Sequence, residues 1–76
     1  MEKQEIKSPF KNPGEMVIAM VEELGEISQE ISLLEKIGTK ANWEKEGDVE
    51  RLKNEMKQLM NIMISLGNYY NIDTLN

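Results

Sequence analysis

Residues 17 to 34 read VIAMVEELGEISQEISLL. Within them Val17, Met20, Leu24, Ile27, Ile31 and Leu34 step by three and four residues in alternation. A strand would bring its apolar residues to every second position; this spacing lines them along one side of an α-helix. A stripe repeating by three and four is the seam through which helices pack on one another. The flanking residues agree. Asn12 suits an N-cap, Pro13 the first helical position, and Glu15 completes an Asn-x-x-Glu capping box. Gly38 is well placed as the stop, so the first predicted helix runs from about Pro13 to Ile37.

The same alternation returns in Val49, Leu52, Met56, Leu59, Met63, Leu66 and Tyr70. Asp48 reads as the N-cap of a second helix continuing to about Tyr70, with Asn71 ending it and residues 72–76 fraying. Met60, Ile62 and Ile64 add a second apolar edge, a width expected of a helix covered from more than one side. Gly67 reads as a weak point, costing about 1 kcal/mol against Ala in a helix interior. Residues 38–47 form the connection, with Trp43 capping the end of the hairpin. Residues 1–11 are a polar N-terminal arm with Ile6 and Phe10 as its apolar anchors, and residues 12–76 are the helical hairpin domain.

The predicted fold is therefore all-α: an antiparallel pair of long amphipathic helices. A 76-residue chain buries only about 60% of its unfolded surface, and such small scaffolds usually need a staple. The sequence has no cysteine for a disulfide and no histidine for a His/Cys zinc site. Two helices alone leave at least half of each apolar surface wet. Assembly into a four-helix-bundle-type homo-oligomer, a dimer or a tetramer, is the expected remedy. The five methionines at helical spacing (Met16, Met20, Met56, Met60, Met63) read as core filler rather than an adaptable binding surface, and Tyr70 as a packed member of the seam.

Composition narrows the function. The net charge is −5, and no Lys/Arg cluster supplies the basic face that a DNA or RNA partner requires. No apolar run approaches the roughly 20 residues that span a bilayer, and the charged start Met1-Glu2-Lys3-Gln4-Glu5 is not a signal peptide. Absence of cysteine fits a cytoplasmic protein. There is no Gly-rich phosphate loop, and no nucleophile–His pair is possible.

Two polar pairs invite a chemical reading. With Val17 and Val49 as position a of a heptad, Glu23 and Glu55 are both g, and Glu26 and Gln58 are both c. Residues three apart share one helix face, so each pair can aim two oxygen ligands at one point. Glu26 lies about 11 residues, or ~16 Å, before the end of the first helix, and Glu55 about 7 residues, or ~10 Å, into the second. A connection of this length absorbs the offset. Three carboxylates and an amide would then converge beside the helix pair. Repelling carboxylates call for a cation, and hard oxygen ligands favour Mg²⁺ or Mn²⁺. Lone Glu-x-x-Glu pairs are commonly solvated helix surface; the matched positions of the two pairs distinguish this case.

Val21-Glu22-Glu23-Leu24-Gly25-Glu26-Ile27 resembles the Glu-Glu-x-x-Glu helix of the MazG-like, all-α nucleoside triphosphate pyrophosphohydrolases. Gly47-Asp48-Val49-Glu50-Arg51-Leu52-Lys53-Asn54-Glu55 resembles the entry into that family's second motif helix, and the likeness spans about residues 16 to 73. The resemblance implies a Mg²⁺-dependent, oligomeric enzyme that cleaves a nucleoside triphosphate to a monophosphate and pyrophosphate. It implies Glu23, Glu26 and Glu55 as catalytic residues and metal ligands, with Gln58 as a fourth ligand. Two departures mark a compact, degenerate member. Gln58 stands where the family motif ends in Asp, and an amide carries no charge and cannot act as a base. The chain also ends soon after the second helix, leaving Arg51, Lys53, Lys57 and Asn61 as nucleotide-gripping candidates that otherwise read as solvated helix surface. Both departures point to weak or lost activity. The competing reading is a non-catalytic helical oligomerisation or interaction module.

Overall fold

The computed structural model describes residues 10–38 and 44–76. They form two α-helices, α1 (Pro13–Glu35) and α2 (Val49–Tyr69), packed against each other, with no strand among the described residues. No described helix is long and apolar enough to cross a membrane. Ile6 and Trp43 lie outside the described residues, and with them the expected roles of the arm and of the Trp43 cap.

The N-termini follow the sequence reading. Glu15 N–H donates to Asn12 Oδ1 at 2.9 Å, and the Glu15 carboxylate reaches back toward Lys11 N–H and the Asn12 amide, both at 3.4 Å. Asp48 Oδ1 accepts from Glu50 N–H at 2.8 Å and opens α2. The C-termini differ from expectation. α1 closes two residues early, because Lys36 takes the left-handed conformation (φ 56°) and Ile37 N–H donates to the Ser32 carbonyl. Gly38 (φ 65°) lies beyond this stop.

At the end of α2, Asn71 is left-handed (φ 61°); its N–H donates to Asn68, and Ile72 N–H donates to Gly67 at 2.7 Å. These two bonds make a Schellman closure that satisfies the last carbonyls. The C-terminal residues therefore turn back over the helix. A Cβ on Gly67 would meet Thr74 Cγ2 at 2.5 Å and the Ile72 carbonyl at 3.0 Å. Gly67, expected as a weak point, is also a buried contact point at which a larger residue would have to displace Thr74 and the Ile72 carbonyl.

The helices run antiparallel. Glu23 meets Gln58, Glu30 meets Arg51, and Leu34 meets Gly47, so each step forward along α1 is matched by an equal step back along α2. At the last of these, a Cβ on Gly47 would lie 2.6 Å from Leu34 N. The glycine permits the chain to enter α2 directly against the α1 backbone.

The face through which the helices meet is turned from the expected seam. Positions a and d were expected to close the hairpin. Instead g and its neighbours c and d are inward: Met16, Glu30, Leu33 and Ile62 are buried, while Met20, Glu23, Ile27, Leu52, Glu55 and Leu59 are half-buried. The a positions are exposed throughout, including Tyr70, which was expected to pack. Met56, Met60 and Met63 are likewise surface residues rather than core filler. The physical reason is that an apolar stripe wide enough for two partners does not say which part of it the chain's own second helix will take.

Candidate functional site

The rotation of the helices brings the acidic residues into the contact between them. Glu23, Glu30 and Glu55 all occupy g and project across the interface, while Glu26 and Gln58 at c stand at its open edge, both exposed. The acidic residues share a row because g recurs every seventh residue, and the packing that turns g inward sets Glu23 and Glu30 against Gln58 and Arg51 at c of α2.

Gln58 and Glu23 are in direct contact. With its amide nitrogen turned toward the carboxylate, as the surrounding acceptors require, Gln58 Nε2 donates to Glu23 Oε1 at 2.9 Å and to Oε2 at 3.1 Å. Burial pushes the Glu23 carboxyl above its ordinary range; a carboxyl–carboxyl hydrogen bond with Glu26 and the charges of Glu26, Glu55 and Glu22 push the same way. Glu55 is also raised, first by burial and then by the charges of Glu30 and Glu26, against partial relief from Arg51 and Lys45. Its Oε1 atom is buried and has no hydrogen-bond partner. A buried carboxylate oxygen left without a donor is costly, and native structures seldom keep one without a reason.

Glu30 behaves in the opposite way. It accepts Arg51 Nε at 3.1 Å, Arg51 Nη2 at 3.1 Å and the Asp48 N–H at 2.7 Å. Arg51 hydrogen bonding is the main cause holding its carboxyl below the ordinary range, outweighing burial. Arg51 also donates to the Glu46 carbonyl at 2.8 Å. A cleft of about 210 Å³ opens beside this pair, lined by Glu26, Gln29, Glu30, Lys45, Arg51 and Glu55.

All four residues singled out from the sequence thus belong to one cluster: Glu23 contacts Glu26 and Gln58, and Glu26 and Glu55 share the cleft. Their side chains do not form a ready-made chelate. Among the described residues, no group of three or more Asp, Glu, His or Cys is gathered closely enough to hold a metal ion. Two members escaped the sequence reading. Arg51 reads from the sequence as solvated surface, and Glu30 stands in no motif of its own. The signal for Glu30 was present, since it follows Glu23 by one heptad at the same g position.

Comparison of the chain with protein-family models, with curated proteins and with solved structures gives no match.

Proposed function

We propose that the chain is a compact, degenerate homologue of the MazG-like nucleoside triphosphate pyrophosphohydrolases, built around a Mg²⁺ or Mn²⁺ site at the acidic cluster and working as a homo-oligomer of four-helix-bundle type. The observation that carries the reading is the buried, unpartnered Oε1 of Glu55 beside Glu26 and Glu30. A cation is the partner this oxygen lacks, and an all-oxygen donor set of Glu23, Glu26, Glu55 and the Gln58 carbonyl fits a hard divalent ion. When bound, such an ion supplies charge neutralisation for a triphosphate and lowers the pKa of an attached water. Gathering the ligands requires the Gln58 amide to turn over, presenting oxygen in place of nitrogen.

The chain's own residues set the limits of the activity. Glu23 and Glu55, whose carboxyls burial holds above the ordinary range, are the groups suited to take a proton from water. Gln58 holds Glu23 in place but accepts no proton. Arg51 is engaged by Glu30 and Glu46, and so positions the cleft rather than reaching for phosphate. Turnover slower than that of a site with four carboxylates follows. The test is titration with Mn²⁺, reading thermal stability, together with pyrophosphate release from a panel of nucleoside triphosphates. Metal-dependent stabilisation lost in Glu55→Gln, with release of pyrophosphate, supports the proposal; indifference to metal in both readings overturns it.

A second reading has its own observation. Gln58 already gives Glu23 a neutral donor, and Arg51 already gives Glu30 a cation, so much of the cluster is satisfied internally. A non-catalytic helical interaction module would keep these contacts and ignore metal.

A further inference from the structure

Each helix carries a stripe that the hairpin leaves uncovered. On α1 it is Val17, Leu24 and Ile31; on α2 it is Val49, Met56 and Met63, all between 39% and 65% exposed. These are the a positions, whereas the hairpin closes through g. In an antiparallel helix pair, matched wheel positions fall on the same broad side. Both stripes therefore open on one side of the hairpin, flanked by half-buried d residues such as Ile27 and Leu59. Glu26 and Gln58, at c, belong to the other side.

We propose that the side bearing the a stripes is the surface on which a second copy of this chain seats, face to face, with the acidic clusters left on the outside of the resulting bundle. The inference rests on the oligomeric reading above and assigns it a surface. Three observations select a second copy as the occupant. The a/d repeat runs the length of both helices, so an identical hairpin offers a seam of the same period and length. From Val17 to Leu34 no a, d or e position of α1 is charged, and on α2 only Lys53 interrupts. The apolar a and e side chains, each 39–65% exposed, run the length of both helices, and a strip of this extent is what an interface burying about 800 Å² on each partner requires. The need for a cover is plain from the core: Met16, Leu33 and Ile62 are the buried hydrophobic residues among those described. Hairpins with so little interior are stabilised by association when no disulfide serves.

Sedimentation equilibrium of the full chain from low to high micromolar concentration tests the oligomeric reading itself. A dimer is expected, and a fully helical monomer throughout the range would sink both that reading and the surface. The surface is tested separately by Leu24→Glu and Met56→Glu, expected to weaken self-association roughly ten-fold or more. Asn61→Glu, on the exposed f position, is expected to leave it unchanged. A wild-type dimer whose association is unaltered by both apolar substitutions would show that copies meet elsewhere. Because a weakened dimer can also lose its fold, a second measurement avoids disruptive charges. The chain has no cysteine, so Met56→Cys and Asn61→Cys can each carry one environment-sensitive fluorophore. Emission is expected to shift to the blue with rising concentration for Met56→Cys alone; equal behaviour of the two labels would overturn the assignment.

Discussion

Arg51 and Glu30, on different helices, are joined by two hydrogen bonds of 3.1 Å, Nε to Oε1 and Nη2 to Oε2, in the side-by-side geometry that a guanidinium and a carboxylate favour. Glu30 is buried at 4% exposure and additionally accepts the Asp48 N–H, so this one side chain ties α1 to both the cap and the first turn of α2.

Removing Glu30 is therefore expected to loosen the hairpin at its joined end. Glu30→Ala loses three hydrogen bonds in one step, and a destabilisation of about 2 kcal/mol is expected from urea unfolding. Arg51→Lys keeps the charge but not the paired geometry and should cost a smaller part of the same amount. A Glu30→Ala variant as stable as the parent would refute this role.

The acid dependence of stability should separate Glu30 from Glu55. The folded pKa of Glu30 lies below its ordinary 4.5, so its contribution is present above that value and is lost as pH falls through the lower folded pKa. Glu55 is raised above 4.5, so the folded state binds its proton more tightly, and its effect on stability turns unfavourable as pH rises through the folded pKa. Glu55→Gln is expected to raise the thermal midpoint at pH 7 and to lose that advantage below pH 4.5. Calorimetry across the range would decide it; a lower midpoint for Glu55→Gln at neutral pH is the contrary result.

Gln58→Asp should move metal-free stability and metal affinity in opposite directions. Without metal, a new carboxylate replaces a donor against Glu23, and stability at pH 7 should fall by about 1 kcal/mol. With Mn²⁺ the added charge should tighten binding roughly ten-fold. Calorimetric titration gives the affinity directly, and unchanged or weaker binding would count against a metal site.

Lys36 closes α1 in a left-handed conformation that an L side chain adopts at a cost of about 1 kcal/mol. Its ion pair with Glu46, at 3.8 Å and exposed, returns little. Lys36→Gly is expected to stabilise the chain by about 0.5–1 kcal/mol, measured by chemical denaturation. A loss of stability would show that the Lys36 side chain matters more than its backbone.

Period, caps and pairing of distant motifs were legible in the sequence. Asn12 and Asp48 act as their spacing predicts, through capping bonds that span three and two residues, while the Glu15 carboxylate reaches Lys11 N–H and the Asn12 side chain in place of the Asn12 backbone N–H. The common heptad letters of Glu23 with Glu55, and of Glu26 with Gln58, put the two pairs on the same side of an antiparallel hairpin, where g of one helix meets c of the other, as Glu23 meets Gln58. The C-terminal turn was not legible. Gly67 looks the same in sequence whether it weakens a helix or admits Thr74.

The sequence by itself determined that this chain makes two antiparallel amphipathic helices with matched acidic pairs, because helical periodicity is a property of local spacing. Only the tertiary structure decided which side of each helix the hairpin spends on itself. An apolar stripe broader than one contact leaves that rotation open, and it is settled when the helices pack with Arg51 on Glu30 and Leu34 against Gly47, turning g inward and leaving a exposed.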